Sequence, residues 1–545
     1  MQSLDRWLGR ERIIAGPHFN RWLIPPAALA IHLCIGMAYG FSVFWLPLSR
    51  SIGISAAHAC APDTTVWTYL TATNCDWPVS MLGWTYTLFF VVLGSSAALF
   101  GHWLETAGPR KAGVVAALCW SGGLLIGALG VHLHQLWLLW LGCGVIGGLG
   151  LGLGYISPVS TLIKWFPDRR GMATGLAIMG FGGGAMIGSP LADRLMRHFS
   201  TADSVGVAPT LVTLALLYLV AMLIGAFGYR VPPSGWKPPG WAPPSQAAKL
   251  KTTRHVNVDR VFGIPQFWLL WAVLCLNVSA GIGVVGMASP MLQEVFGGKL
   301  LGGSEPLARL ATDQRAQVAT IAAAFAGLLS LFNIFGRIFW ASFSDVIGRK
   351  ATYCVFFLLG LALYASAPWA GNSGHVAVFV VIFCLILTMY GGGFATIPAY
   401  LADLFGTQHV GAIHGRLLTA WSAAGILGPV IVNYIREHQL QRGLPADQAY
   451  NVTMYILAAF LLGGLICNLL VRPVAERHFM SDAELAAERA KAHERVAVTT
   501  GVQAGVNGAV RTAPLTVALA WLAVGLPLLW GIWITLTKAL PLFRS

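Results

Sequence analysis

The sequence predicts an all-helical membrane protein built from two related six-helix halves, and its composition and apolar patterning lead to that fold class. Charged residues make up only 10% of the 545 residues and hydrophobic residues 56%, whereas soluble globular chains carry about 25% charged residues. The apolar residues form long blocks, each near the about 20 residues that cross a hydrocarbon core as a helix. Because lipid offers the backbone no hydrogen-bond partners, such blocks predict membrane helices.

Twelve apolar blocks precede Arg472, and a thirteenth apolar stretch covers residues 514–537. Basic residues concentrate in the loops on the N-terminal side of the membrane, so the positive-inside rule predicts a cytoplasmic N-terminus in the cell inner (plasma) membrane. The net charge of +14 is therefore explained by basic residues in cytoplasmic loops, and no nucleic-acid partner is expected. The twelve blocks span residues 22–49, 81–104, 112–132, 136–163, 172–193, 209–229, 266–296, 316–343, 351–370, 375–402, 411–435 and 449–471.

An internal repeat relates the first six blocks to the next six. At a shift of about 240 residues, Pro158 corresponds to Pro398 and Gly171 to Gly411, and ordered matches of this kind indicate a repeat architecture. Six plus six related helices are typical of transporters in which one half rocks against the other around a midplane site. We therefore divide the chain into a cytoplasmic N-terminus, a first half, a Pro-rich cytoplasmic linker, a second half, a cytoplasmic helix and an additional hydrophobic segment, at residues 1–21, 22–229, 230–265, 266–471, 472–513 and 514–545.

Two short loops carry the same charged pattern, one in each half. The pattern resembles the loop signature between helices 2 and 3, and again between helices 8 and 9, of the major facilitator superfamily. That resemblance implies a cytoplasmic clamp that holds one conformation closed, since exposed ion pairs are broken and remade at low cost. The pattern consists of an acid, a glycine and two basic residues, at Glu105, Gly108, Arg110 and Lys111 in the first half and at Asp345, Gly348, Arg349 and Lys350 in the second.

Three further segments, residues 38–44, 154–158 and 164–175, narrow the resemblance. They are similar to the oxalate/formate antiporter branch, which is related to the monocarboxylate transporters, and the similarity extends over about residues 20–470. The resemblance implies a small organic anion as substrate. Tyr39, Tyr155 and Tyr390 match aromatic positions of the branch, which implies that they line the site; packing between helices is the alternative for each.

Arg337 is a basic residue well inside a predicted span. Eight residues separate it from Asp345, so at about 1.5 Å per residue it lies about 12 Å from the inner end of helix 8. A guanidinium at that depth costs at least about 2.5 kcal/mol unless it meets water, a partner or an anion. Its counterpart in the repeat is Ala97, so the fold itself does not require a charge there. We interpret Arg337 as a bidentate carboxylate anchor, with snorkelling to the inner interface as the alternative.

Two neighbours of this site bear on coupling and substrate charge. Proton-coupled monocarboxylate transporters usually carry Asp one turn before this arginine, whereas Asn333 cannot titrate, which favours exchange or facilitated passage. His32 could titrate instead, although a lone histidine in a span is more often packed. Oxalate-handling members of the branch carry a lysine in helix 11 where this chain has Trp421. One fixed cation suits one carboxylate, so we predict formate, lactate or pyruvate rather than oxalate.

The cysteine and glycine patterns indicate structural roles. Seven of the nine cysteines lie inside predicted spans, where packing is expected, while Cys60 and Cys75 share an outward loop and could form a disulfide in an oxidising compartment. Glycine runs in the fourth and fifth spans lack Gly-Lys-Ser/Thr and predict close helix packing. The sequence has no CxxC, HExxH or Cys/His cluster, so neither a metal nor a cofactor is expected.

The last hydrophobic segment resembles a small accessory subunit found with some of these transporters, here fused to the chain. Gly525 and Pro527 predict that this segment is divided into two short pieces. A full span would place Lys538 and Arg544 on the outer side of the membrane, against the positive-inside rule.

The sequence as a whole predicts a monomeric secondary carrier of a small organic anion in a lipid bilayer, and no enzyme. A membrane-embedded enzyme would need intramembrane clusters of His, Asp, Glu or Ser, and Arg337 alone is not a catalytic constellation. A sensor that uses a transporter fold would need an added signalling domain. A proton-coupled monocarboxylate symporter is the alternative within the transporter class.

Overall fold

The computed structural model describes residues 8–53, 58, 60–61, 64–168, 170–233, 236–240, 252, 254–406, 408–487 and 512–543. Within these ranges, thirteen helices are long and apolar enough to cross a membrane. This architecture confirms the predicted all-α fold of six plus six membrane helices with an additional C-terminal segment. The helices are α1 (Arg21–Leu48), α2 (Val79–Ala107), α3 (Pro109–His132), α4 (Leu136–Trp165), α5 (Arg170–Phe199), α6 (Val207–Gly228), α7 (Pro265–Phe296), α8 (Thr312–Ile347), α9 (Arg349–Asn372), α10 (Val376–Phe405), α11 (Val410–Gln441), α12 (Asn451–Leu470) and α13 (Pro514–Ala539).

Helices α1–α6 and α7–α12 form two bundles that meet along two seams. In one seam α2 packs against α11, and in the other α5 packs against α8. Ser422 of α11 donates a hydrogen bond to the Val91 carbonyl of α2 at 2.8 Å, and Ser330 of α8 donates one to the Gly182 carbonyl of α5. We call the end of the bundle at which α1 begins the inner end and the opposite end the outer end.

Glycines in α4 and α5 bring helix backbones into direct contact. A Cβ atom on Gly150 would lie 2.5 Å from the backbone nitrogen of Trp120 in α3. One on Gly184 would lie 2.3 Å from the carbonyl carbon of Gly36 in α1. No larger residue fits at either position, and these contacts confirm the predicted packing role of the glycine-rich runs.

Backbone hydrogen bonds fix both ends of the segment that connects the two halves. Val231 donates to the Ile13 carbonyl at 2.8 Å and accepts from the Ala15 nitrogen at 2.9 Å. At the other end, Val256 donates to the Phe405 carbonyl at 2.9 Å. The linker is thus attached to the N-terminal segment and to the inner end of α10. Its middle, residues 241–251, and residues 488–511 of the predicted cytoplasmic helix lie outside the described residues.

The loop between α1 and α2 is cross-linked and anchored on a buried carboxylate. Cys60 and Cys75 form a disulfide whose Cα atoms are 5.0 Å apart. Asp76, next to Cys75, accepts backbone hydrogen bonds from Ile52 at 2.8 Å and His58 at 3.0 Å. Both ends of the loop are therefore held close to the outer end of α2.

The C-terminal segment is one continuous helix, α13, so our expectation of two short pieces is wrong. Proline such as Pro527 is tolerated within membrane helices because neighbouring groups satisfy the freed backbone carbonyl. Trp521 Nε1 donates to the Trp22 carbonyl of α1 at 3.1 Å, and Lys538 Nζ lies 3.9 Å from Asp193 of α5, so α13 runs parallel to α1 and α5. Asp193 supplies a counter-charge for Lys538, which a rule based on loop charges does not consider.

Replacing Cys60 with serine should destabilise the outer loop. Closing a loop over a sequence separation of 15 corresponds to about 3 kcal/mol at most in the chain-entropy account. We expect a lower midpoint of thermal unfolding in detergent for Cys60→Ser. The Cys119→Ser variant, which alters a half-buried free cysteine of α3, is the control and should unfold near the parent midpoint. Equal midpoints for the two variants would mean that Asp76 holds the loop without the disulfide.

Candidate binding site between the two halves

Arg337 lies at the seam between α8 and α5 and is fully buried, with 0% of its surface exposed. Its Nε donates to Oδ1 of Asn333, one turn earlier, at 2.8 Å. Its Nη1 crosses to the other half and donates to the Ile178 carbonyl of α5 at 3.0 Å. Nη2 donates to no acceptor among the described residues. The guanidinium therefore joins the two halves and retains unused donors inside the protein.

Two glycines make the room that Arg337 and Asn333 occupy. A Cβ atom on Gly182 of α5 would lie 2.9 Å from Arg337 Nε and 3.0 Å from Asn333 Oδ1. A Cβ atom on Gly391 of α10 would lie 2.6 Å from the same Asn333 oxygen and 3.2 Å from Arg337 Cγ. Both glycines thus leave space for the side chains of Arg337 and Asn333. For Gly182 this role is in addition to the close helix packing that the sequence predicted.

Aromatic rings from both halves surround the guanidinium. The carbon Cζ of Arg337 lies 5.5 Å from the centroid of the Phe394 ring in α10, within the range of a cation–π interaction. Trp421 of α11 packs with its centroid 4.3 Å from Phe394 and 5.1 Å from Tyr155 of α4. The Nε1 of Trp421 and the hydroxyl of Tyr155 are buried with no acceptor or donor partner among the described residues. The cage therefore presents free neutral donors next to one cation.

A second contact between the halves lies close to Arg337. The hydroxyls of Tyr39 in α1 and Tyr390 in α10 are 2.7 Å apart, a hydrogen bond across the interface. The guanidinium lies close to the hydroxyls of Tyr39 and Tyr155. The structure thus gathers all six side chains predicted for the binding site in one cluster, namely Arg337, Asn333, Tyr39, Tyr155, Tyr390 and Trp421.

The cluster is shut off from both ends of the bundle, since none of these six side chains is more than 3% exposed. A small pocket lies between the halves at the inner end. Its lining includes Leu104 and Ile156 from the first half and Pro398 and His414 from the second. The structure therefore describes a cluster that is closed to both ends of the bundle.

The predicted clamp residues lie at the inner end, apart from this cluster. Arg349 pairs with Asp345 and lies 3.6 Å from Asp403 Oδ2 at the end of α10. Lys350 donates to the carbonyls of Leu469 and Val471 at 2.8 Å each. These contacts fasten α8 and α9 to α10 and α12 within the second half.

The equivalent loop of the first half has the same backbone geometry. Gly108 and Gly348 both adopt a φ of +88°, a conformation that favours glycine, which explains the glycine in each signature. Arg110 donates to the carbonyls of Phe227 at 3.2 Å and Tyr229 at 3.4 Å. Lys111 is half-buried beside it, and the side chain of Glu105 lies outside the described residues.

Sequence reasoning missed three phenylalanines of the cage. Phe181 has ring contacts of 5.5 Å or less with Tyr39, Tyr155 and Trp421, and Phe90 stacks 5.4 Å from Trp421. In an apolar span a phenylalanine gives no signal that separates a site from packing. Phe394 is the exception, because it follows Tyr390 by four residues and so shares its helix face.

Two six-helix halves that enclose a buried polar cluster between them are typical of membrane transporters. The chain belongs to the Major Facilitator Superfamily, whose family model matches residues 29–429 and, in a second match, residues 300–545. It is thus a multi-pass membrane transporter, as the sequence predicted.

Three relatives carry names that refer to small carboxylates. The chain is 26% identical to the oxalate:formate antiporter of Oxalobacter formigenes over 86% of its own length and 96% of the relative's. It is 25% identical to apicoplast pyruvate carrier 1 of Toxoplasma gondii, over 77% of this chain and 82% of that one. It is 20% identical to monocarboxylate transporter 14 of Mus musculus, over 72% and 82%.

Two solved structures share the fold. A bacterial homologue of the human lysosomal transporter Spinster, inward-facing and unoccupied, superposes with a TM-score of 0.54 at 15% identity, covering 84% of this chain and 97% of that chain. A bacterial homologue of the iron transporter ferroportin, in an outward-facing state, gives 0.50 at 14% identity, covering 82% and 98%. These likenesses support the architecture alone.

A Gly182→Ala substitution should destabilise the protein because its Cβ would press on Arg337 Nε. Overpacking of this kind costs about 1–3 kcal/mol. The control is Gly122→Ala in α3, where nothing lies within 4 Å of the added Cβ and alanine improves helix propensity. Thermal unfolding in detergent should give a lower midpoint for the first variant only. A Gly182→Ala midpoint at or above that of Gly122→Ala would show that the site can relax around the methyl group.

Proposed function

We propose that this protein is a secondary carrier of small monocarboxylate anions of the formate, lactate and pyruvate class. The two halves rock about the buried cluster to expose it alternately to the two sides of the cell inner (plasma) membrane, with the N-terminus in the cytoplasm. Transport proceeds by exchange or facilitated passage. The observation that carries the proposal is the buried Arg337, whose Nη2 has no acceptor among the described residues.

A carboxylate meets the physical requirements of that guanidinium. Buried charged donors without acceptors are costly, and a carboxylate offers both negative charge and two oxygens in a geometry that matches the guanidinium edge. Nε and Nη1 already have protein acceptors, so the ligand would bind through Nη2 and the free hydroxyl of Tyr155. The names of the three relatives, which refer to oxalate and formate, pyruvate and monocarboxylates, support the same chemical class.

The surroundings of Trp421 favour a single negative charge. Within the described residues the aromatic cage contains one cation, Arg337, while Trp421 offers a neutral N–H donor at Nε1. A dianion would leave its second carboxylate without a counter-charge in a low-dielectric site, which is costly. We therefore infer a preference for monocarboxylates over oxalate.

Asn333, which accepts a hydrogen bond from Arg337, has an amide side chain that cannot carry a proton during transport. This supports exchange or facilitated passage.

Proton symport is the second candidate, and the contacts of His32 favour it. Its Nδ1 contacts the Ala177 carbonyl and its Nε2 lies 3.2 Å from the Tyr155 carbonyl. A neutral imidazole donates one hydrogen bond, whereas the protonated ring would satisfy both acceptors. Rates that depend on an imposed proton gradient would favour this candidate; equal rates support the first.

Arg337→Ala should nearly abolish carboxylate transport. Proteoliposomes loaded with labelled formate, lactate or pyruvate should release label faster when an unlabelled monocarboxylate is added outside. Loss of a charged hydrogen bond predicts a decrease of about 10- to 100-fold in this rate, and Arg337→Lys, which keeps the charge but not the planar fork, should fall in between. The matched control is Arg442→Ala, an exposed arginine. Parent-like exchange by Arg337→Ala would exclude the anchor role, and strong oxalate exchange by the parent would exclude the monovalent preference.

Trp421→Lys should shift selectivity toward oxalate. A second cation in the cage would pair with the second carboxylate, so we expect the ratio of oxalate to formate exchange to rise at least about tenfold. Oxalate should also raise the unfolding midpoint of this variant, which separates a binding effect from a folding defect. Trp421→Phe, which keeps the ring without the N–H, is the control and should not gain oxalate exchange. If the ratio were unchanged in a folded Trp421→Lys protein, position 421 would not determine substrate charge.

A further inference from the structure

Helix α13 lies outside the twelve-helix core and runs along the α5–α8 seam. It contacts α1 and α5 of the first half and α8 of the second. Its inner end is held by the first half, where the backbone nitrogen of Asn20 donates to Thr512 Oγ1 at 3.1 Å and Trp521 Nε1 donates to the Trp22 carbonyl at 3.1 Å. The helix therefore covers the same seam that Arg337 bridges from within.

Toward the outer end, small residues let α13 touch both halves closely. A Cβ atom on Gly531 of α13 would lie 3.0 Å from Ile187 Cγ1 and 3.2 Å from the Met186 carbonyl oxygen of α5. On α8, the three atoms nearest to a Cβ on Gly327 all belong to Thr535 of α13, the closest being Oγ1 at 2.7 Å. Thr535 is 1% exposed. Close backbone approach through small residues is how membrane helices associate, since lipid provides no hydrophobic drive between them.

Charged and polar groups continue this contact at the outer end. Lys538 of α13 lies 3.9 Å from Asp193 of α5. Asp193 also pairs with Arg197 of the same helix at 3.2 Å, and Arg197 donates to Thr320 Oγ1 of α8 at 2.6 Å. One chain of polar contacts thus joins α13, α5 and α8 at the outer end of the seam.

We propose that α13 is a strap that holds the outer end of the α5–α8 seam closed and so opposes the outward-open state. Its docking positions on the two halves, Met186 and Ile187 on one side and Gly327 on the other, must separate when the outer end opens. Because α13 is a single helix, it cannot follow both halves and has to leave one of them. The inference rests on the rocking motion of the proposed function, and not on the identity of the anion.

The experiment measures how often the outer end opens. Ala288 of α7 is 1% exposed and lines a pocket with Tyr39 and Asn333, so a cysteine at position 288 becomes accessible from outside only on opening. The rate of its reaction with a membrane-impermeant maleimide is compared in proteoliposomes with and without Gly327→Leu, which fills the position that Thr535 occupies. We expect labelling to increase at least about fivefold, the low end of typical coupling between sites.

Gly525→Leu is the matched control, because nothing lies within 4 Å of a Cβ at that position of α13. It should label at the parent rate. A rescue variant exchanges the two residues, Gly327→Thr with Thr535→Gly, and should return labelling toward the parent value. Equal rates in Gly327→Leu and Gly525→Leu would overturn the strap.

A second measurement does not depend on disrupting the contact. Paired cysteines at Gly327 and Thr535, and at Gly531 and Ile187, would tie α13 covalently to both halves. The tested variant carries these four cysteines together with the one at position 288, and labelling of position 288 is read from its own peptide by mass spectrometry. Oxidation should reduce that labelling to background, and reduction should restore it; opening that persists after complete cross-linking would contradict the proposal. Formate exchange measured in parallel distinguishes the two ideas. If labelling responds as expected but the parent exchanges no monocarboxylate, the strap stands and the proposed substrate is wrong.

Discussion

The buried cluster between the two halves of this membrane protein depends on one guanidinium, that of Arg337. Arg337 uses one nitrogen to bond Asn333 on its own helix and another to bond the Ile178 carbonyl on the opposite half. These bonds fix the direction in which the remaining Nη2 points and leave it without an acceptor among the described residues. Because a charge inside a bilayer is costly without partners, the protein stabilises this residue incompletely, and an anionic ligand can complete the shell.

The same buried turn determines how the surrounding helices pack. Gly182 and Gly391 lack side chains where a Cβ atom would meet Arg337 or Asn333, so the helices that contain them can close around the charged turn. The hydrogen bond from Arg337 to the Ile178 carbonyl also crosses the interface between the two halves. In the proposed carrier, an anion bound at Nη2 offsets the charge while that contact breaks and forms again, so substrate binding and rocking act on one group.

Contacts at the two ends of the bundle are built differently. At the inner end the repeated loops place Arg349, Lys350 and Arg110 on carboxylates and carbonyls near helix ends, and these contacts join helices within each half. At the outer end, the α5–α8 seam is covered by α13 through close packing at Gly327 and Gly531.

The sequence by itself determined the fold class and the repeat, because apolar blocks long enough to span a bilayer and ordered matches at a fixed shift leave local signatures. It also named the six side chains that the structure gathers in one buried cluster. Only the tertiary structure revealed Phe181 and Phe90 in the cage, since phenylalanine in an apolar helix has the same pattern whether it faces a site or a neighbour. It also reversed the expectation for the C-terminal segment. Loop charges opposed a thirteenth span, but Lys538 meets Asp193 from a helix more than 300 residues earlier. Such long-range pairing follows from how the helices pack, and no local pattern in the sequence records it.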